Sequence, residues 1–298
     1  MIARSPSRIE VASGRSLRVL EEGTGVPVLM LHGFTGSAES MNVAADALAG
    51  RAALIRPDLV GHGGSIAPDE PDAHSMEACV ADLDALLDAR GLPSAHVVGY
   101  SMGARVALAL AVWRSARVRS LVLIGGRAGI EDSRERVERR RADEVLADRI
   151  EARGLGWFVD HWMGLPLFAS QARLGRRALE RARAARLRQR PAGLAASLRG
   201  MGVGAQPPLF DSLHRVDVPT LLVVGDEDAK FAALAEDLAG RLPHARVARI
   251  PCAGHAAHLE NPAAFGAELR HFLAGLEPTL AEPEPGPDRG NLAQELMV

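Results

Sequence analysis

The chain of 298 residues has only two cysteines, Cys79 and Cys252, far apart and without metal-type spacing. This argues against a disulfide framework or a cysteine-based zinc site and leaves both as reduced, partly buried small residues. No run reaches the roughly 18 apolar residues that a membrane-spanning helix needs. The first residues, Met1 to Ser16, are polar and lack the apolar core of a secretory signal, so a soluble cytoplasmic protein is expected. Lys230 is the sole lysine; the other basic residues are arginines, spread among the acids to a net charge of −2. Without a basic field there is no footprint for nucleic acid. Neither a dinucleotide-binding glycine fingerprint nor a ligand-type cluster occurs, so no cofactor and no metal are implied.

What is present is an alternation. Short apolar runs bounded by Gly, Pro or Asp occur at Val28 to Leu31, Ala53 to Ile55, His96 to Val98, Ser120 to Ile124, Thr220 to Val224 and Arg246 to Ile250, and read as buried strands. Helical spacing fills the gaps: Val80, Leu83, Leu86 and Leu87 share one face of Met76 to Arg90, and Ala104 to Val112 is similar. The pattern predicts an α/β fold, a mostly parallel sheet with helices on both faces. It breaks after Gly126, where some ninety Arg-rich residues carry helical strings such as Arg134 to Arg153 and Arg173 to Arg190, and resumes at Pro219. The expected organisation is a core of residues 1–126 and 219–276, a helical cap of residues 127–218 above the strand ends, where α/β sheets bind ligands, and a disordered tail of residues 277–298.

Gly99-Tyr100-Ser101-Met102-Gly103 sits between an apolar run and a helical string, the context of a nucleophile elbow. The turn from strand to helix is so tight that side chains at its flanks would clash, and it lifts the serine hydroxyl above the sheet. A serine hydroxyl is a weak nucleophile and needs an imidazole to take its proton and a carboxylate to orient the imidazole. Downstream, Gly225-Asp226-Glu227-Asp228 ends one strand and Gly254-His255 follows the last, in the order Ser, Asp, His. Asp228, three residues after the glycine, is the expected acid; Asp226 and Glu227 read as solvated or structural, and His32, His62 and His258 as turn or packing residues. The oxyanion hole is assigned to the backbone N–H groups of Phe34, in the loop after the first buried strand, and of Met102, after the nucleophile. Asp58 to Ser65 is a glycine-rich tight turn, not a nucleotide site.

The elbow with Ala104-Arg105, the string Leu165-Pro166-Leu167-Phe168-Ala169-Ser170-Gln171, the string Ser197-Leu198-Arg199-Gly200-Met201-Gly202 and Gly225-Asp226-Glu227-Asp228-Ala229-Lys230-Phe231 resemble the 2-succinyl-6-hydroxy-2,4-cyclohexadiene-1-carboxylate synthases of menaquinone biosynthesis, α/β-hydrolase-fold proteins. The likeness runs from about Val28 to Pro262 and includes the cap, which varies widely in that fold. It implies a lyase that eliminates pyruvate from a small substrate with three carboxylates, using serine as a base. By resemblance, Arg105, Arg139 and Arg188 clamp carboxylates, Tyr100 supplies a hydroxyl and Trp162 an aromatic wall; Lys230, near Asp228, reads as an ion-pair partner of a carboxylate or as a substrate contact, the former being preferred. Ala104 replaces the usual glycine and Val60 the usual proline, and neither change threatens the chemistry. Two other readings share the sequence: an esterase or carbon–carbon bond hydrolase with the same triad, and a binding protein that an intact triad disfavours.

Overall fold

A computed structural model of the chain describes residues 6–280. An antiparallel hairpin of β1 (Ser7–Ala12) and β2 (Arg15–Glu22) precedes six mutually parallel strands: β3 (Val26–Leu31), β4 (Ala52–Pro57), β5 (Ala95–Tyr100), β6 (Val118–Ile124), β7 (Thr220–Gly225) and β8 (Ala245–Ile250). They form one sheet in the order β1-β2-β4-β3-β5-β6-β7-β8, with β2 antiparallel to β4. The parallel strands are the six apolar runs expected from sequence. The hairpin was not anticipated, because in β2 only Leu17 and Val19 are fully buried and the stretch carries little apolar signal. Antiparallel strands packed on one face need no more than that.

Alternation along each strand divides the core between two faces. Leu29, Leu31, Val97, Leu121 and Leu123 pack with Val80, Leu83 and Leu86 of α2 (Met76–Ala89) and with Val106 and Leu110 of α3 (Met102–Trp113). Val28, Met30, Val98, Val122 and Ile124 point the other way, onto Ala44 and Ala45 of α1 (Asn42–Ala47) and onto Phe265, Leu269 and Leu273 of the C-terminal helix Pro262–Leu276. Each such buried side chain contributes about 1.5–3 kcal/mol. The start of α2 is capped by Ser75, whose side chain accepts from the Ala78 N–H.

Among the described residues no strand lies between Ile124 and Thr220. This stretch holds α4 (Ser133–Met163), α5 (Arg176–Arg186) and α6 (Pro191–Met201). Gly154, at φ +76°, breaks α4 into two helical segments. Ala147, Ile150, Phe158 and Val159 of α4 then meet Leu194 and Leu198 of α6 in a core of their own, while α5 buries no residue fully. The arginines here are largely engaged on the surface: Arg199 alone bridges Glu144, Asp148 and Glu151. After β7 come α7 (Ala229–Arg241), α8 (Ala257–Glu260) and α9 (Pro262–Leu276).

The expected disordered tail needs one correction. Glu277 is placed beside His96 and Arg119, and Pro278–Leu280 form a 3-10 turn that buries Leu280 against the α9 side of the core; the remainder of the tail falls outside the described residues. Cys79 is buried in α2, but Cys252 is exposed rather than partly buried. No described helix is long and apolar enough to cross a membrane.

Candidate active site

The elbow has the geometry its glycines predict. Ser101 takes φ +50°, a left-handed conformation that is costly for a residue with a side chain. A Cβ on Gly99 would stand 2.4 Å from the Gly103 carbonyl oxygen, and one on Gly103 would stand 2.2 Å from that of Leu31. Only hydrogen fits at either place. The Ser101 N–H donates to the Ile124 carbonyl at 2.8 Å, tying the turn to β6.

Ser101 Oγ lies 3.0 Å from His255 Nε2, and His255 Nδ1 lies 3.0 Å from Asp228 Oδ2. A carboxylate only accepts, so Nδ1 carries the hydrogen and Nε2 is left to accept from the serine hydroxyl. Asp228 uses its other oxygen to cap α7, accepting from the Phe231 N–H at 3.2 Å, so both oxygens are fixed. Asp226 accepts from the Ala253 N–H and Glu227 points outward to Arg173. Of the three carboxylates in this loop, Asp228 alone hydrogen-bonds His255. The His255 ring is 3% exposed, with the Phe231 ring at 4.3 Å on one side, and it passes close to Gly125, where a Cβ would meet Cε1 at 2.7 Å.

Above Ser101 a cavity of about 380 Å³ opens between the sheet and the helices of residues 127–218. Its wall includes Phe34, Tyr100, Met102 and Trp162, with the Phe34 and Trp162 rings edge to face at 5.2 Å. The Phe34 N–H has no hydrogen-bond acceptor among the described residues. The Met102 N–H is the first of α3 and has no acceptor within its helix. Both are therefore open donors, the second at the positive end of the helix dipole. Burial pushes the Tyr100 hydroxyl well above its ordinary pKa, so it stays a neutral donor.

The charge in this wall is one-sided. Arg105, Arg127, Arg139, Arg186 and Lys230 line the cavity, and among the described residues no aspartate or glutamate does. Arg105 is 9% exposed and donates to the Met201 carbonyl and to Gln206 Oε1, both at 2.8 Å, with no carboxylate of the described residues within ion-pair distance. Burial lowers its pKa to about 10, so it remains a cation. Burial likewise lowers Arg127 and Arg186. Arg139 is neutralised by Asp143, four residues on, at 2.8 Å. Across Arg127 lies a second cleft of about 490 Å³ whose wall carries Glu131, Asp132, Glu135 and Asp237.

Two expectations change. Arg188 is exposed and absent from the cavity; Arg186 takes its place, with its Nε buried and without a partner. Arg186 is the last residue of α5, whereas Arg188 lies past the helix end, in the link to α6. The signal was present: Leu179, Ala182 and Arg186 fall at the i, i+3, i+7 positions of the half-buried stripe of α5. Lys230 faces the cavity and has no ion-pair partner among the described residues, so it does not neutralise a carboxylate near Asp228. Arg127 was missed altogether, although it follows the end of β6, on the sheet edge where ligands bind. Among the described residues no group of three or more His, Cys, Asp or Glu is placed to hold a metal ion.

A family model described as the alpha/beta hydrolase fold matches residues 26–262, so the fold and the elbow define the class. A Bacillus subtilis (strain 168) relative, provisionally named 2-succinyl-6-hydroxy-2,4-cyclohexadiene-1-carboxylate synthase, is 39% identical over 90% of this chain and 98% of its own length. A Klebsiella pneumoniae protein named as the same synthase is 36% identical over 84% of this chain and 95% of its own. The solved structure titled as MenH from S. aureus superposes with a TM-score of 0.82 at 30% identity, covering 87% of this chain and 98% of that one. Within the α/β-hydrolase fold the chain belongs to the 2-succinyl-6-hydroxy-2,4-cyclohexadiene-1-carboxylate synthase family.

Proposed function

We propose that the chain is a carbon–oxygen lyase of menaquinone biosynthesis, acting in the cytoplasm. It eliminates pyruvate from 2-succinyl-5-enolpyruvyl-6-hydroxy-3-cyclohexene-1-carboxylate to give 2-succinyl-6-hydroxy-2,4-cyclohexadiene-1-carboxylate. Ser101, its proton drawn to His255 Nε2, removes the ring proton beside the succinyl ketone. The freed electron pair forms one ring double bond and the existing one shifts. The bond from the ring to the enolpyruvyl oxygen then breaks, and the released enolpyruvate takes up a proton and becomes pyruvate. Asp228 keeps the hydrogen on Nδ1 of His255 and stabilises the imidazolium. The N–H groups of Phe34 and Met102 stabilise the negative charge that spreads onto the ketone oxygen. No water attacks in this sequence, and the atoms of the substrate are all recovered in the two products.

The observation that carries this reading is a cavity wall with five basic side chains, of which Arg139 alone is paired to a carboxylate, and no aspartate or glutamate among the described lining residues, above a serine paired to histidine. A substrate with three carboxylates matches it; a neutral ester would be better served by an apolar wall. Arg105, Arg186 and Arg139 are assigned to the carboxylates, with Arg127 and Lys230 completing the field, Tyr100 as a hydroxyl donor and Trp162 as the flat wall for the ring. The test is pyruvate release from the enolpyruvyl substrate by wild type and Ser101→Ala, with p-nitrophenyl acetate as a parallel ester. Rapid serine-dependent pyruvate formation is expected. No pyruvate but brisk serine-dependent ester cleavage would move the assignment to a hydrolase.

A further inference from the structure

Gln189 lies in the link between α5 and α6, 7% exposed, and its amide is shared between two loops of the sheet domain. Its Oε1 accepts from the Gly63 N–H at 2.9 Å. Its Nε2 donates to the Gly36 carbonyl at 2.8 Å and to the Thr35 carbonyl at 3.3 Å. Nothing in the sequence marks it, since its partners lie 126 or more residues away.

The two loops are already joined beneath it. Asp58 accepts from the Ala38 and Gly64 N–H groups at 2.7 and 2.8 Å, and His32 Nε2 accepts from the Leu59 N–H at 2.9 Å. What these bonds leave unheld are the carbonyls of Thr35 and Gly36, directly after Phe34. Thr35 is buried and takes φ +68°, a left-handed conformation in a β-branched residue. Such a conformation persists only where the surroundings over-determine it. The peptide plane that carries the Phe34 N–H also carries the Gly33 carbonyl, which is held by His32 Nδ1 at 2.8 Å and by the Gly36 N–H at 3.0 Å. Gly36, which thus holds the plane from the far side of the turn, is itself held from outside the loop by Gln189.

We infer that Gln189 is a positioning residue for the oxyanion hole: by clamping Thr35 and Gly36 to the Gly63 loop it aims the Phe34 N–H at the reacting oxygen. It also couples that aim to the seating of the helices of residues 127–218, because the clamp exists only while the α5–α6 link rests on both loops. The inference rests on the proposed use of Phe34 in catalysis. Removing an oxyanion donor costs about 10²–10³ in kcat, and misaiming one costs less, about 10–100-fold.

Two variants test this. Gln189→Met keeps the shape without either polar group; Gln189→Glu keeps an acceptor for Gly63 but sets an oxygen against the Thr35 and Gly36 carbonyls. Hydrogen exchange of the Gly36 and Ala38 amides should rise about tenfold or more in both, and that of Gly63 in Gln189→Met alone, with β5 and β6 unchanged. The kcat for pyruvate release should fall about 10–100-fold with KM within about threefold, and more for Gln189→Glu than for Gln189→Met. Unchanged exchange in the two loops overturns the clamp. Faster exchange and a lower Tm with unchanged kcat overturn the positioning role and leave a purely structural one. If wild type releases no pyruvate but cleaves p-nitrophenyl acetate, the proposed function fails by itself, and the same kcat ratio is read on the ester, whose oxyanion uses the same hole.

Discussion

Replacing Arg105 with methionine should separate binding from folding. The guanidinium is buried on α3 with no carboxylate of the described residues in ion-pair range, and burial depresses its pKa to about 10. Against an ordinary value of 12.5, that amounts to about 3 kcal/mol by which the fold disfavours its charge. Methionine relieves this cost while filling similar volume, but leaves the Met201 carbonyl and Gln206 Oε1 without their donor, at about 1–3 kcal/mol each. The contributions oppose each other, so the net change should fall between about 1 kcal/mol of added and about 3 kcal/mol of lost stability, a Tm drop of no more than about 6–12 °C. Activity has no such compensation. Two charge-assisted hydrogen bonds to a substrate carboxylate, lost together, amount to about 3–4 kcal/mol, so kcat/KM should fall about 10²–10³-fold. The assay pairs coupled pyruvate detection with thermal unfolding of the same sample. A Tm drop beyond about 12 °C would mean that Arg105 is a structural cation whose partner has been overlooked, and a kcat/KM within threefold of wild type would remove it from the binding site.

Arg186→Met should lower kcat/KM about 10–100-fold, whereas Arg188→Met should leave it within twofold; equal effects would refute the assignment of the inward face of α5. His258 is fully buried beside Tyr100, with neither ring nitrogen partnered, and burial lowers its pKa to about 3. Its stabilising neutral form is therefore matched in the unfolded chain above pH 6.5 and not below it. As pH falls from 6.5, the unfolded state gains a proton that the native state refuses, and stability drops by up to about 1.4 kcal/mol per pH unit until about pH 3. His258→Phe removes that term, so urea unfolding at pH 6.5 and 4.5 should show the variant gaining about 2–3 kcal/mol on wild type across the interval; a constant difference would contradict the buried neutral assignment.

The parts of this molecule legible in sequence are those where stereochemistry admits one residue type or where a local period repeats. Gly99 and Gly103 are required by contacts of 2.4 and 2.2 Å with backbone oxygen, so the elbow announces itself. The six parallel strands do so too, because burial on both faces makes each a continuous apolar run. Asp228 is an intermediate case. Three carboxylates in a row offered no local reason to prefer one, and the choice rested on spacing from Gly225. The physical reason lies elsewhere: Asp226 is occupied by an N–H of the loop after β8, Glu227 by Arg173, and only Asp228 both caps α7 and meets His255.

The cavity wall was far less legible. Which arginine of an Arg-rich helix faces inward depends on how α4 bends at Gly154 and how α5 is carried across the sheet, and neither is a property of a short window. A charged residue on a half-buried stripe is the one local trace, and Arg186 bears it. Lys230 shows the same limit from the other side: a lysine two residues past an aspartate suggests an ion pair, yet helix α7 begins between them and turns the lysine to the cavity. Gln189 left no trace at all. A glutamine whose three partners come from two distant loops can be recognised only after those loops are in place, and its proposed role depends on a backbone conformation, that of Thr35, which sequence does not disclose. The Arg139 and Arg186 share of the charge in the wall and the proposed aim of the Phe34 N–H thus depend on how the helices of residues 127–218 sit, while Arg105, Lys230 and the Ser101–His255–Asp228 geometry belong to the sheet and the helices that flank it. Substitutions at Arg186 and Gln189 should therefore change turnover without disturbing the hydrogen bonds among Ser101, His255 and Asp228, which a retained Ser101–His255 distance in the variant structures would verify and a displaced His255 would refute.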